Sequence, residues 1–252
     1  MFSHPSMEYN HYHAIFAAWL SAYAYSQRVA RYLQSEWFFD HTEEFNYDSS
    51  PHRDTAAHTI AHNNNLVIAA IRGTPRGRDE WLSNLDMGFG KHHTGFMRAT
   101  SDVYHNLSSY MSRHGLMGKT MLITGHSRGG AIANLLGERI SKAPLLVSKG
   151  GLYVYTYGAP MVSRSDATGD SIHNNIFNII NLHDPVVHVP LHPHRRYGQD
   201  LDFSWLNRDP FYSHMIIETY IAWLVSNPEP FINGTNPSVH TPFRMPRLPL
   251  YK

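Results

Sequence analysis

The residues best suited to chemistry lie in Gly125-His126-Ser127-Arg128-Gly129, a G-x-S-x-G pentapeptide. Before it, Met121-Leu122-Ile123-Thr124 is a short apolar run that suits a strand buried on both faces. After it, Ala131, Ala133, Leu135 and Ile140 recur at helical spacing, and Glu138-Arg139 supply a polar face. A serine held between such a strand and such a helix sits on a sharp, strained turn. Side chains at positions 125 and 129 would collide with the neighbouring strand and helix, which accounts for the two glycines. The turn lifts the Ser127 hydroxyl clear of the sheet and aims the first amides of the helix at the same point. The alternative is a chance match in a glycine-containing loop. The flanking strand and helix argue against it.

Thr124 to Leu135 reads T-G-H-S-R-G-G-A-I-A-N-L. It resembles the T-G-H-S-x-G-G-A-x-A-x-L of the class 3 lipases, members of the α/β-hydrolase superfamily. Arg128 stands where leucine is common, and the chemistry does not need its side chain. The resemblance covers about residues 12–225, strongest within the motifs. It implies an α/β-hydrolase fold with a mostly parallel central sheet and helices on both faces. It also implies that Ser127 is a nucleophile on an elbow formed with Gly125, His126 and Gly129.

Other segments extend the resemblance. Leu66 to Thr74, LVIAAIRGT, is similar to the family's strand ending in R-G-T or R-G-S, which puts Thr74 at an oxyanion-hole position. An attacked carbonyl develops negative charge and needs two preorganised N–H donors. The Arg128 and Thr74 amides are the implied pair. His183-Asp184-Pro185-Val186-Val187-His188-Val189-Pro190 is similar to N-x-x-D-x-V-P-x-x-P, which aligns Asp184 with the catalytic acid. Asp184 also follows an apolar run, Ile176 to Leu182, and α/β sheets gather their sites just past strand ends. Tyr212-Ser213-His214-Met215 opens a helix continuing through Glu218, Tyr220 and Trp223, similar to the family's H-x-x-x-E-x-[YW] or H-S-M-E-x-Y context, and His214 is the implied base. His188, His192 and His194 lie too close to Asp184 along the chain to swing back toward the elbow.

Gly77 to Leu85, GRDEWLSNL, resembles the family's D-W-L-x-D-L stretch beside a mobile lid. Trp81, Leu82 and Leu85 share one helical face. Burial under the domain and a lid that meets a lipid interface both fit that face. Any lid is short, because nine residues separate Leu85 from Gly95. His93-Thr94-Gly95-Phe96 matches H-x-G-F and opens a helix to about Arg113, with His93 in a structural role.

The remaining elements must position these groups. Tyr12 to Leu33 predicts one Ala- and aromatic-rich helix in which Tyr23 and Tyr25 pack in the core. Residues 34–54 read as polar and irregular. Thr55 to Ala61, the Asn63-Asn64-Asn65 turn and Leu66 to Ile71 predict an antiparallel hairpin at the start of the sheet. Gly151 to Tyr157 predicts a further strand, and His192 to Phe203, with Arg195-Arg196-Tyr197-Gly198, resembles the extended R-Y-G segment of some bacterial members of the family.

At 252 residues, with 42% hydrophobic and 16% charged residues, the chain suits a single globular domain. A net charge of +1 argues against nucleic acid held by bulk charge. No run reaches the roughly 18 apolar residues of a membrane span, and the start shows no signal-peptide pattern, so secreted and cytoplasmic locations both stay open. There is no cysteine, which excludes disulfides and thiolate chemistry. The 19 histidines make the protein more cationic as pH falls toward 6. The local pairs His92-His93 and His192-x-His194 lack spaced carboxylate partners, so no metal or other cofactor is expected in the reaction.

The resemblance therefore implies a serine ester hydrolase acting on lipid esters through Ser127, Asp184 and His214. Phospholipase A1 or short-chain esterase activity is the close alternative. A catalytically idle binding scaffold on the same fold is the reading outside enzymes, and the presence of all three residues weighs against it.

Overall fold

Leu66–Ile71 and Ile176–Asn181 are buried along their whole length, as strands covered on both faces must be. They belong to one seven-stranded sheet in a computed structural model that describes residues 2, 4–47, 55–75, 92–143, 145–190 and 193–228, with side chains of the segment after 91 described from residue 95. The strands are β1 (His41–Phe45), β2 (His58–His62), β3 (Leu66–Ile71), β4 (Lys119–His126), β5 (Val147–Tyr157), β6 (Ile176–Asn181) and β7 (Gln199–Phe203). They lie side by side in chain order. The first three are antiparallel, and β3 to β7 run parallel. The hairpin expected around Asn63 is β2–β3, closed by the Asn63 side chain accepting from the Asn65 and Leu66 amides.

Alternation along the strands divides the core in two. Leu122, Tyr155 and Ile179 face α1 (His11–Tyr25), α2 (Val29–Trp37) and the C-terminal helices. Met121, Ile123 and Val154 face α3 (His92–Arg113) and α4 (Arg128–Ser141). Eleven of the fifteen residues of α1 are buried, so this helix is a core element rather than an amphipathic cover. Ala14, Ala17 and Ala18 let it lie close to β4. The Ser21 hydroxyl donates to Thr124 Oγ1 at 2.8 Å, and Thr124 donates in turn to the Ala17 carbonyl at 3.1 Å.

Three expectations need correction. The single helix over Tyr12 to Leu33 is two helices. Gln27 adopts a left-handed conformation (φ 54°), and the Ser26 and Arg28 amides both close onto the Tyr23 carbonyl. Apolar periodicity continues through that break, which hides it. The polar stretch 34–54 contains the end of α2 and the strand β1, whose sequence HTEEF lacks apolar alternation because an edge strand is largely solvated. The helix through His214 and Trp223 is likewise interrupted. α5 (Pro210–His214) ends at His214, Met215 is extended, and a π-helical turn (Ile216–Ile221) leads into α6 (Ala222–Ser226).

β1 and β2 also carry a titrating contact. His58 is buried, stacks on Phe45 with ring centroids 4.8 Å apart, and donates from Nδ1 to the Ala56 carbonyl at 2.7 Å. Burial lowers its pKa to about 4, against a smaller upward pull from the Ala56 carbonyl. The unfolded chain takes up this proton near pH 6.5 and the native state only near 4, so stability falls as pH drops through that window. From pH 7 to pH 5 the loss is about 2 kcal/mol. Urea titrations of wild type and His58→Gln at the two pH values should show that much less pH dependence in the variant; equal slopes would contradict the assignment.

Candidate active site

The β4–α4 junction holds Ser127 at φ 58°, ψ −129°, a conformation that costs a non-glycine residue about 1–3 kcal/mol. Surrounding hydrogen bonds impose it. The Ser127 amide donates to the Tyr157 carbonyl at 2.9 Å, and the Ala131 amide to the Ser127 carbonyl at 3.0 Å. Ser127 heads α4 without capping it, so its hydroxyl is not spent on the helix amides as an N-cap serine's would be. A Cβ on Gly125 would come within 2.4 Å of the Gly129 carbonyl oxygen, and one on Gly129 within 2.3 Å of the Ile71 carbonyl oxygen. Helix and strand therefore close on the elbow at the two places its glycines occupy.

Asp184 and His214 arrive from other elements. Asp184 follows β6 and caps a 3₁₀ turn (Pro185–His188), accepting from the Val186 amide at 2.9 Å. His214 ends α5 and donates from Nδ1 to Asp184 Oδ2 at 2.7 Å. The two residues are 0% and 3% exposed, so the pair is shielded from water and held in one tautomer. Tyr220 donates to the same carboxylate oxygen at 2.6 Å. Burial and the Asp184 charge push the Tyr220 phenol well above its ordinary pKa and keep it a donor. In one unbroken helix His214 and Tyr220 would point about 120° apart. The break at Met215 and the π turn bring both onto Asp184.

His126 joins this pair to the elbow. Its Nε2–H donates to the His214 carbonyl at 2.7 Å, and Tyr25 at the end of α1 donates to its Nδ1 at 2.9 Å. The His126 and His214 rings lie 4.6 Å apart. Burial, then the proximity of His214, holds the His126 pKa well below 6.5, so it is a neutral bridge with a fixed tautomer. His126→Phe keeps a ring but removes both hydrogen bonds and frees the backbone that carries His214. We expect kcat to drop about 10²-fold with little change in KM, since small misplacements cost that much. Steady-state kinetics beside a melting curve tests this, and unchanged kcat in a folded variant would exclude a positioning role.

Thr74 is half-buried just beyond β3. The backbone from Ile71 to Gly73 abuts Gly129, which sets the segment leading to Thr74 against the first turn of α4. The Arg128 side chain turns aside, donating to the Thr55 carbonyl at 3.0 Å. Trp81, Leu82 and Leu85 lie outside the described residues, as does the side chain of His93. Sequence reasoning assigned no site role to Tyr220 and placed Tyr25 in the core. Their part is visible only when residues far apart in the chain meet, although the H-x-x-x-E-x-[YW] pattern already included an aromatic residue at the Tyr220 position.

Comparison with known proteins gives this arrangement relatives. The family model described as Lipase (class 3) matches residues 67–194, half of the chain. Secreted mono- and diacylglycerol lipase 1 of Fusarium solani is 28% identical over 108 residues, which make up 39% of this chain and 31% of the relative. The matched segment thus spans about a third of that relative's length. Among solved structures, the triacylglyceride lipase of Rhizomucor miehei superposes with a TM-score of 0.57 at 17% identity, over 77% of this chain and 80% of the other. The lipase of Rhizopus microsporus var. chinensis gives 0.56 at 18%, over 77% and 74%. At these identities the superpositions establish the fold, an α/β-hydrolase sheet flanked by helices. Together with the family match over half its length, they show that the chain belongs to the class 3 lipases.

Proposed function

We propose that the protein is a serine hydrolase of lipid carboxylic esters. The observation that carries this reading is the buried Asp184–His214 hydrogen bond, anchored through His126 to a serine on a strained elbow. Ser127 Oγ attacks the ester carbonyl while His214 Nε2 takes its proton. Asp184 holds the Nδ1–H tautomer and stabilises the imidazolium, helped by the Tyr220 hydroxyl. The Arg128 and Thr74 amides receive the oxyanion. Collapse of the tetrahedral adduct breaks the bond to the alkoxy oxygen, which leaves with the proton from His214 as an alcohol. Water then attacks the acyl-serine, gives a proton to His214, and releases the carboxylic acid as Ser127 recovers its proton.

Glyceride esters are the first candidate substrates, because the Fusarium relative is named a mono- and diacylglycerol lipase and the Rhizomucor protein a triacylglyceride lipase. The test is a panel of p-nitrophenyl esters of increasing chain length beside emulsified glycerides and phospholipid. Release of fatty acid from glyceride emulsions above the other substrates supports the reading. Preference for phospholipid would move the assignment to a phospholipase A1, and preference for short soluble esters to an esterase. Inactivity on every ester would overturn it in favour of a binding scaffold.

A further inference from the structure

A second cluster of reactive side chains lies at the opposite end of the sheet. His41 opens β1 and His62 closes β2, and the hairpin register sets them directly opposite each other. Their rings stack with centroids 4.7 Å apart and planes 7° from parallel. His114, one residue past α3, brings its ring to 5.5 Å from His41 and 5.0 Å from His62. One nitrogen from each of the three imidazoles lies within 4.8 Å of the other two. His62 pairs with Val67 at the start of β3, whereas the elbow lies beside Ile71 at its end. That is four strand positions away, about 13 Å along the sheet.

The surroundings orient the cluster. Tyr110 donates to the His41 carbonyl at 3.4 Å, so its oxygen accepts from His62 Nδ1–H at 2.7 Å. This leaves the lone pair of His62 on Nε2. A ring whose other nitrogen is held by a hydrogen bond is the usual form of a metal-binding histidine. Glu43 stands behind His114, 3.5 Å from its Nε2, and is itself held by Arg113 at 2.7 Å.

We propose that His41, His62 and His114 bind one divalent transition-metal ion as a structural clamp. Three imidazoles without carboxylate or thiolate suit zinc, copper, nickel or cobalt, and not magnesium or calcium. Zinc–nitrogen bonds of about 2.0–2.1 Å require the nitrogens to draw together to about 3.4 Å and the stacked His41 and His62 rings to turn out of parallel, so that both in-plane lone pairs meet one ion. The fourth position is left to water. An ion here ties the edge strand β1 to β2 and to the C-terminal end of α3. The placement is remote from the Ser127 chemistry, so the proposal does not depend on the hydrolase reading. The three residues are 21 and 52 positions apart, a spacing that no local motif shows.

The test uses the full chain, stripped with chelator and dialysed, with Zn²⁺ as the probe and Mg²⁺ as the control. Isothermal titration should show one Zn²⁺ bound at micromolar affinity or better, with a rise in melting temperature that Mg²⁺ does not produce. Because the chain carries 19 histidines, the location is read from variants. His41→Ala/His114→Ala alters two outer positions and spares the buried His62. It should weaken that binding at least 100-fold and abolish the thermal shift, whereas His183→Ala should leave both intact. The metal-free double variant should keep wild-type ester hydrolysis. Absence of Zn²⁺ binding in wild type, or binding and thermal shift unchanged in the double variant, would overturn the proposal.

Discussion

Replacing Ser127 by alanine should lower kcat/KM by about 10⁴-fold or more on any ester the protein hydrolyses, with no loss of folded structure. In the proposed mechanism the hydroxyl oxygen forms the acyl bond, which alanine cannot do. The fold should not suffer, because the strained backbone at position 127 is imposed by hydrogen bonds of its amide and carbonyl, which alanine retains. Activity would then be lost at constant melting temperature. A variant that keeps more than a tenth of its turnover would remove Ser127 from the chemistry. A variant that loses activity only in step with unfolding would reduce it to a structural role.

The second large effect is shared by His214 and Asp184, and its signature is non-additivity. His214→Ala removes the proposed base, and we expect a loss of about 10⁴-fold or more in kcat. Asp184→Asn keeps the shape of the acid but presents the His214 ring with an amide that stabilises the wrong tautomer. Its loss should also be about 10⁴-fold. The double variant should be little worse than His214→Ala alone, because the carboxylate acts only through the imidazole it holds at 2.7 Å. A double variant with multiplied losses would show two independent roles and break the proposed chain of proton transfer. Parallel substitutions at His188 and His194 should leave turnover near wild type. His188 is held by the Leu182 carbonyl at 3.0 Å and does not reach Asp184.

Some of this was legible in the chain. The elbow shows itself because its glycines, strand and helix are contiguous, and each is required by local sterics. The β2–β3 hairpin is likewise local, written in Asn63 to Asn65 and the apolar run after it. β1 was not legible, since an edge strand with Glu43 and Glu44 carries no apolar pattern. Nor was the break at Met215, because its cause is tertiary: two side chains six residues apart must meet one carboxylate. The same reason hid Tyr25 and His126, whose hydrogen bond joins residues 101 positions apart. Arg196 is a further case. The sequence shows only R-R-Y-G, whereas the folded chain buries this guanidinium between the Ala159 and Val187 carbonyls and pairs it with Asp200. It thereby ties the turn after β5 to the one that carries Asp184.

The central claim is that Ser127, made nucleophilic by the Asp184–His214 pair, attacks an acyl carbonyl, and covalent labelling tests it most directly. A fluorophosphonate reacts with an activated serine and leaves a stable adduct that peptide mass spectrometry can place on one residue. The wild-type protein should carry one adduct per chain, located at Ser127. Labelling should be absent in Ser127→Ala and slowed by orders of magnitude in His214→Ala. An adduct on another residue, or labelling of His214→Ala at the wild-type rate, would contradict the account.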